Sequence, residues 1–312
     1  MKAVTVRDSE LSVEDHPDPE PGSGEVLVKV RAAGLNGADM MQRRGLYPAP
    51  AGSPQDIPGL EFAGEVVGLG PGARRFKDGD RVMAIVGGGG QAELATVHER
   101  GAMPVPERLS WPEAGGAPEV FTTAHDALFT QAGLEPGERL LVQGGAGGVG
   151  TAAIQLARAS GARVTATVRN EALRDQVAEL GAEVLAPDDF ERHGPFDVIL
   201  ELVGAPNLPG DVKSLATLGR IVVIGISAGA KGELNLGALM GNRGRVMAST
   251  LRSRPLEEKA IAARAVERNV LPLLQSGAVK VPVHATYPLD QAAEAYDAFA
   301  AGGKLGKIVL EA

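Results

Sequence analysis

The feature that most constrains the fold is a glycine-rich turn between an apolar strand and an alanine-rich helix. Residues 139–142 form the predicted strand, residues 144–150 read GGAGGVG, and residues 151–160 form the predicted helix. The turn satisfies the pattern G-x-G-x-x-G with Gly145, Gly147 and Gly150. A strand that enters a helix through such a turn is typical of a parallel sheet whose strands are connected by helices.

The spacing of these glycines predicts a dinucleotide site. The first glycine allows the tight bend, the second lets the backbone approach a pyrophosphate, and the third lets the helix pack on the strand. The phosphate then faces the helix N-terminus, where free N–H groups favour negative charge. Glycine-rich turns also serve packing alone, but the strand and helix context favours binding, with Gly148 and Val149 as further contacts.

A triphosphate-binding loop of the form G-x-x-x-x-G-K-[ST] is the alternative use of such glycines. Counted from Gly145, its lysine position holds Thr151 and its hydroxyl position holds Ala152. The sequence therefore argues against a nucleoside triphosphatase.

The residue that ends the next strand indicates which dinucleotide binds. An NAD site places an acid about 20 residues beyond the glycines, where it accepts hydrogen bonds from the ribose. Here Arg169 follows the apolar run 164–168. A permanently charged guanidinium attracts a 2′-phosphate, so NADPH is the expected cofactor. Arg174 is a second candidate, and the alternative for both arginines is a solvated surface position.

The distribution of strand and helix patterns predicts two domains in an α/β protein. Short β-rich runs punctuated by Gly and Pro occupy residues 1–118, and a mixture of helix and strand patterns occupies 254–312. Between them, residues 119–253 alternate helices with apolar strands, which indicates a doubly wound parallel sheet. We expect this domain to be inserted in a mostly-β domain made of 1–118 and 254–312. Candidate elements near the C-terminus are a helix at 257–275, strands at 279–283 and 307–310, and a helix at 290–300.

Composition excludes several classes of protein. The net charge of −8 and the absence of a basic cluster exclude a nucleic-acid partner. No run of residues approaches the roughly 18 apolar residues of a membrane span, and residues 1–6 enter a strand pattern directly, so a cytoplasmic protein is expected. The count of 0 cysteines excludes disulfides and cysteine-ligated zinc, and the 5 histidines lack metal-ligand spacing, so no metal is expected.

Several motifs resemble the quinone oxidoreductase branch (zeta-crystallin-like) of the medium-chain dehydrogenase/reductase superfamily. They are AAGLNGAD (32–39), RGLYP (44–48), PGLEFAG (58–64), GDRV (79–82), PEVFTT (118–123), the glycine turn, STLR (249–252) and GKIVL (306–310). The resemblance implies a Rossmann domain inserted in a mostly-β GroES-like domain. It also implies NADPH-dependent hydride transfer to a quinone or an α,β-unsaturated carbonyl, and a homodimer formed by edge strands of the doubly wound domains.

By the same resemblance, the zinc-dependent members place a cysteine at the position of Asn36 and a histidine at that of Leu60. Neither their catalytic zinc nor their structural zinc site is then expected here. Without a Lewis acid, alcohol oxidation loses the main electrostatic stabilisation of its alkoxide. Hydride addition to a quinone or enone needs less electrostatic stabilisation, because the developing charge is delocalised over the conjugated system.

The resemblance also implies site residues. Asn36, Asp39 and Tyr47 are expected to line the substrate pocket, with Tyr47 as proton donor; the alternatives are that Tyr47 only packs and that water donates. Thr123 is expected to contact the nicotinamide or to cap a helix over 122–128. Further residues expected on the cofactor side are Arg252, Val203, Ile224, Gly225 and Ile226.

The sequence offers three alternative functions. Residues 225–229 match the serine hydrolase pattern G-x-S-x-G, but no helix pattern follows and His284 precedes Asp290, so a hydrolase is excluded. An enoyl-thioester or biosynthetic enoyl reductase would use the same hydride chemistry with a longer pocket. A catalytically silent NADPH-binding protein would bind nucleotide without turnover.

Overall fold

The structure is a computed structural model that describes residues 1–312. The chain forms two compact units. The first, called the β unit, comprises Met1–Thr122, Leu251–Gly302 and Lys307–Ala312. The second, called the α/β unit, comprises Thr123–Thr250 and Gly303–Gly306. None of the helices combines the length and apolar character that a membrane span requires.

Fifteen strands make up the sheets. In chain order they are β1 Lys2–Arg7, β2 Glu10–Asp15, β3 Glu25–Gly34, β4 Glu61–Leu69, β5 Arg81–Ile85, β6 Leu94–His98, β7 Ala102–Pro104, β8 Arg139–Gln143, β9 Arg163–Thr167, β10 Glu183–Leu185, β11 Phe196–Glu201, β12 Leu215–Val223, β13 Arg245–Ala248, β14 Val283–Pro288 and β15 Lys307–Glu311.

Ten α-helices accompany them. In chain order they are α1 Gly37–Arg43, α2 Trp111–Gly115, α3 Pro118–His125, α4 Gly148–Ala159, α5 Arg174–Ala178, α6 Leu208–Lys213, α7 Leu236–Gly241, α8 Leu256–Asn269, α9 Leu271–Ser276 and α10 Ala292–Ala301. One π-helical segment covers Asp126–Gln131, and short 3-10 helices cover Glu171–Leu173, Phe190–His193, Ala205–Asn207 and Leu289–Gln291.

The α/β unit is a doubly wound sheet. Its 6 strands run in the order β10-β9-β8-β11-β12-β13, and every neighbouring pair is parallel. Numbered within the unit, this order is the 3-2-1-4-5-6 order of dinucleotide-binding folds. The central strands are apolar on both faces because helices cover both, and their core includes Leu141, Phe196, Ile199 and Ile221. The predicted doubly wound parallel sheet is confirmed.

The β unit contains a 7-stranded sheet in the order β14-β15-β3-β4-β5-β7, with β6 also paired to β3. All pairs are antiparallel except β14 with β15. Strands β1 and β2 form a separate antiparallel hairpin. Inward-facing side chains alternate along the strands and form one apolar core, which includes Val28, Val30, Phe62, Val66 and Val82.

Two predicted elements near the C-terminus were wrong in extent. The helix expected at 257–275 is broken: α8 ends at Asn269, and α9 carries Pro272 in its first turn. Proline lacks the N–H that would continue the ladder of α8, so it is tolerated only where a new helix begins. The strand expected at 279–283 begins only at Val283, because the preceding apolar residues are buried without joining the sheet.

Candidate functional site

The glycine turn lies at the carboxyl end of β8 and leads into α4, whose N-cap is Gly147. A Cβ on Gly145 would lie 2.8 Å from the Ala166 Cβ, and one on Gly150 would lie 2.5 Å from the Gly144 carbonyl oxygen. A Cβ on Gly147 would meet nothing closer than the Gly144 oxygen at 3.6 Å. Gly145 and Gly150 therefore serve internal packing, whereas Gly147 leaves the backbone open to a ligand. This arrangement fits the dinucleotide cradle predicted for Gly145 to Gly150.

Hydrogen bonds hold the turn against its neighbouring strand. The Gly145 N–H donates to the Thr167 carbonyl at 2.9 Å, and the Gly144 N–H donates to Thr167 Oγ1 at 3.2 Å. The Thr167 hydroxyl donates to Gln143 Oε1 at 2.7 Å, and Gln143 Nε2 donates to Asp211 Oδ1 at 2.9 Å. Burial and the nearby Glu201 carboxylate raise the pKa of Asp211. The base of the turn is thus locked by a buried polar network that sequence reasoning did not identify.

The two predicted phosphate-binding arginines differ in their surroundings. Arg169 is exposed just beyond the end of β9 and makes no hydrogen bond or ion pair. Arg174 is half-buried: its Nε donates to the Val168 carbonyl at 3.2 Å, and its Nη1 lies 3.9 Å from Glu171. The guanidinium of Arg169 is therefore available to an anion, and that of Arg174 is partly engaged.

The loops after β11 and β12 bring together the residues expected near the nicotinamide. The Ala228 N–H donates to the Val203 carbonyl at 2.9 Å, and the Ile224 N–H donates to the Glu201 carbonyl at 2.9 Å. A Cβ on Gly225 would lie 2.1 Å from the Leu202 oxygen, so only glycine fits there. Ile226 is 41% exposed, which is unusual for isoleucine.

Thr123 is buried within α3, which begins at Pro118. The alternative expectation, that Thr123 caps a helix beginning at residue 122, was wrong. Proline is favoured in the first turn of a helix, where no N–H is needed, and it moves the start four residues upstream.

The β unit holds a second polar cluster around Asn36. Lys307 Nζ donates to Glu61 Oε1 at 2.6 Å, to Asn36 Oδ1 at 2.7 Å and to the Leu35 carbonyl at 2.7 Å. Asn36 Nδ2 also donates to Glu61 Oε1 at 2.9 Å. The Lys307 and Glu61 side chains are only 3% and 0% exposed. A fully satisfied buried ion pair thus orients Asn36, and neither charged partner had been predicted.

Asp39 lies in the first turn of α1 and is fully buried. Its Oδ2 accepts from the Asn36 N–H at 2.8 Å, and its Oδ1 accepts from the Gly59 N–H at 3.2 Å. Burial, together with the nearby Glu61 carboxylate, raises the pKa of this carboxyl group to about 7, although the hydrogen bond from the Asn36 N–H and the positive charges of Lys307 and Arg252 lower it. In this structure Asp39 positions Asn36 and Gly59; direct contact with a substrate stays a prediction.

The buried Arg252 side chain connects Tyr47 with Gly87 and Gln42. The side chain is 3% exposed, and its Nη1 donates to the Tyr47 carbonyl at 2.9 Å while its guanidinium carbon lies 5.0 Å from the Tyr47 ring centroid. Its Nε donates to the Gly87 carbonyl at 2.8 Å, and its Nη2 donates to Gln42 Oε1 at 2.5 Å. Arg252 was expected to contact the cofactor. Its donors instead serve the β unit and fix Tyr47, so cofactor contact remains only a prediction.

The pKa of Asp39 predicts a pH-dependent contribution to stability. The folded protein keeps a proton up to about pH 7, whereas the unfolded chain loses it near 3.8. The contribution of this proton to the free energy of unfolding is therefore complete below about pH 4. It falls as the pH rises to about 7, by at most ~1.4 kcal/mol per pH unit.

The variant Asp39→Asn removes this slope. Asparagine accepts only one of the two N–H bonds and costs about 1 kcal/mol at low pH. In urea unfolding, the stability deficit of the variant should shrink by at least ~1 kcal/mol between about pH 5 and about pH 8. Comparing the two proteins cancels the similar slope from Asp211. An equal deficit at both pH values would contradict the raised pKa.

Comparison with known proteins agrees with this geometry. Two family models match: "Alcohol dehydrogenase GroES-like domain" over residues 22–107 and "Zinc-binding dehydrogenase" over residues 148–268. Quinone oxidoreductase of Rattus norvegicus is 33% identical over 94% of this chain and 90% of its own length. Acryloyl-coenzyme A reductase of Metallosphaera sedula is 29% identical over 99% of each protein.

Among solved structures, an alcohol dehydrogenase superfamily protein from Novosphingobium aromaticivorans superimposes with a TM-score of 0.89 at 28% identity, over 100% of this chain and 99% of its own. The fold is thus a GroES-like unit with a Rossmann unit, as predicted, and it defines an oxidoreductase that uses a nicotinamide cofactor. The chain belongs to the medium-chain dehydrogenase/reductase superfamily, in its quinone oxidoreductase branch.

The zinc implied by one family model does not fit the residues present. No group of three His, Cys, Asp or Glu side chains is placed to hold a metal. Asn36 supplies an amide, Leu60 supplies no donor atom, and the Glu61 carboxylate is neutralised by Lys307. No step of the chemistry is therefore assigned to a metal.

Proposed function

We propose that this protein is an NADPH-dependent oxidoreductase that reduces a quinone or an α,β-unsaturated carbonyl. The observation that carries the proposal is Arg169, an exposed and unpaired guanidinium at the end of the second strand of a dinucleotide-binding sheet. A planar cation at this position favours a 2′-phosphate over a free ribose hydroxyl. The donor set supports the proposed substrate class, because a conjugated acceptor needs no Lewis acid.

Different residues of the α/β unit would bind different parts of the cofactor. The open backbone of Gly147 and the N–H groups of 148–150 would receive the pyrophosphate. Arg169 would receive the 2′-phosphate, with Arg174 as a second, partly engaged cation. The loop residues Val203, Gly225 and Ile226, with Ile224 and Thr123, would contact the nicotinamide. When bound, the cofactor supplies the hydride.

The residues of the β unit would act on the substrate. Lys307 donates to the side-chain amide of Asn36, and the Asp39 carboxylate accepts from the Asn36 backbone N–H. The amide is therefore preorganised. Tyr47 is held at its carbonyl by Arg252, and its phenol would donate a proton to the substrate oxygen as negative charge develops there. Two polar groups fixed by buried partners lose little entropy when they meet a substrate.

The test of the function is direct. Purified protein is mixed with NADPH and a panel of ortho-quinones, para-quinones and enones, and oxidation is followed at the nicotinamide absorbance band. Acceptor-dependent loss of absorbance is the expected result. Tight NADPH binding without turnover of any acceptor would instead indicate a silent nucleotide-binding protein.

Reversing the charge at Arg169 should change the preference for cofactor. Loss of the charged hydrogen bonds to the 2′-phosphate should weaken NADPH binding about 10- to 100-fold in Arg169→Asp, with NADH unaffected. Both affinities are measured by calorimetry. The control is Arg163→Asp, at the opposite end of β9, which should bind NADPH normally. Equal NADPH affinity in Arg169→Asp and the unaltered protein would refute the role of Arg169.

Removing the phenol of Tyr47 should slow catalysis. Tyr47→Phe keeps the ring against Arg252 and loses only the hydroxyl, so kcat should fall about 100-fold with little change in KM. Tyr287→Phe, at a partly buried position packed against a second apolar cluster of the β unit, is the matched control. An unchanged kcat in Tyr47→Phe would mean that water donates the proton.

A second candidate is reduction of an enoyl thioester. It is favoured by the likeness to acryloyl-coenzyme A reductase over 99% of both chains. The hydride chemistry is the same, and the acceptor differs in its thioester and its length. Turnover of acryloyl-coenzyme A with a kcat/KM above that of every quinone tested would favour this candidate.

We further propose that the protein is a cytoplasmic homodimer that associates through β13. This strand is one of the two edge strands of the parallel sheet and pairs only with β12. Val246 on the strand is 38% exposed, and Met240 on the preceding α7 is 76% exposed. An open strand edge beside exposed apolar side chains is the usual surface for self-association.

A further inference from the structure

A cavity of ≈ 230 Å³ lies within the β unit, apart from Asn36, Asp39 and Tyr47. Helix α8 forms one wall, and strand β6 with the loops near Ser53 and Gly87 forms the others. Its lining combines apolar side chains, including Val86, Met103 and Leu256, with polar ones, including Ser53, Thr96 and His98. Pockets for drug-sized ligands occupy about 300–1,000 Å³, so this cavity suits a smaller molecule.

The cavity contains one unneutralised ammonium group. Lys259 of α8 lines it, is half-buried and makes no hydrogen bond or ion pair. The two acids beside it are engaged elsewhere: Glu257 pairs with Arg100, and Glu258 lies 3.8 Å from Arg254. The single carboxylate of the lining, that of Glu25, accepts from the Gly22 N–H at 2.9 Å. Burial, together with the positive charge of Arg252, lowers the pKa of Lys259.

An unsatisfied hydroxyl lines the same cavity. Thr122 of α3 is 3% exposed, and its Oγ1 has no hydrogen-bond partner. Threonine inside a helix usually donates to the carbonyl one turn earlier, and a buried hydroxyl that makes no bond costs about 1–3 kcal/mol. Thr122 and Lys259 line the same cavity, which therefore offers one cation and one hydroxyl to a group that accepts from both.

We propose that this cavity binds a small organic monocarboxylate, with the carboxylate on Lys259 Nζ and Thr122 Oγ1 and the apolar body against Val86, Met103 and Leu256. A carboxylate has two acceptor oxygens, which match one ammonium and one hydroxyl. The apolar walls add binding energy in proportion to the hydrocarbon surface that they cover.

Neither residue belongs to the machinery proposed for hydride transfer, so the site stands independently of it. One wall is nevertheless shared: Gly87 lines the cavity, and its carbonyl accepts from Arg252, which holds Tyr47. An acid bound here would lie beside the segment that positions Tyr47.

The test is calorimetric titration of the full-length protein, without nucleotide, with benzoate, its neutral isostere benzamide, and inorganic phosphate. Benzoate should bind at least about 10-fold more tightly than the other two, since only it offers charge and shape together. Similar affinities for benzoate and benzamide would overturn the proposal, as would preferential binding of phosphate.

Variants locate the site. Lys259→Met should weaken benzoate binding about 10-fold or more, and Thr122→Val, which keeps the volume of the side chain, should weaken it by about 3- to 10-fold. Lys77→Met, an exposed lysine of the same unit, is the control. Thermal melting of each variant establishes that it is folded, and Lys259→Arg should retain binding. Unchanged affinity in folded Lys259→Met would overturn the proposal.

Discussion

Replacing Lys307 with methionine is expected to lower the free energy of unfolding by about 3–5 kcal/mol, the largest effect of any single substitution considered. The variant leaves the Glu61 carboxylate buried at 0% exposure without its cation. Asn36 Oδ1 and the Leu35 carbonyl lose their donor at the same time. An unpaired buried charge has no compensation from water, so the cost exceeds that of a lost surface ion pair.

Urea or thermal unfolding of Lys307→Met measures this loss. The control is Lys213→Met, which breaks an ion pair with Glu191 in which the lysine side chain is 73% exposed and should cost less than about 1 kcal/mol. The double variant Glu61→Gln with Lys307→Met should recover part of the loss, because no charge is left buried. A loss below about 1 kcal/mol in the single variant would show that the ion pair contributes little.

The second large effect is expected in the glycine turn, where two alanine substitutions should separate folding from binding. In Gly150→Ala the new methyl group lies 2.5 Å from the Gly144 oxygen, so the turn must shift, and both stability and nucleotide affinity should fall. In Gly147→Ala the methyl group meets no atom closer than 3.6 Å. Stability should then change by less than about 0.5 kcal/mol, while NADPH affinity falls about 10-fold or more.

Melting temperature and calorimetric titration with NADPH are the two measurements for these variants. Gly241→Ala is the matched control, since a Cβ there meets nothing within 4 Å and the position is outside the turn. It should change neither quantity. Wild-type NADPH affinity in Gly147→Ala would show that the pyrophosphate does not approach the backbone at this position.

The parts of the fold that were predictable depend on short stretches of chain. Residues 139–160 specify strand, glycine turn and helix within 22 consecutive positions, because bend, close approach and helix packing are local steric demands. Arg169 could be located for the same reason, since a strand of known length ends at a known distance from the turn. The continuous helix predicted at 257–275 is instead two helices, because the backbone restriction imposed by Pro272 overrides the apolar periodicity.

The residues proposed to face the substrate show the opposite behaviour. Asn36 and Tyr47 could be named from a resemblance, but their supports could not, because Lys307 and Arg252 follow them by 271 and 205 positions. Lys307, in an apolar strand, reads as an ordinary surface residue, and the resemblance places Arg252 on the cofactor side instead of against Tyr47. Only the pairing of β15 with β3 brings Lys307 to Asn36.

Local spacing was therefore sufficient for the doubly wound sheet, the turn and the placement of Arg169, since each depends on sterics and backbone geometry within one supersecondary unit. The buried ion pair, the raised pKa of Asp39 and the unsatisfied groups of the Lys259 cavity arose only in the folded chain. Their energies depend on burial and on partners distant along the chain, and these exist only once the tertiary structure has formed.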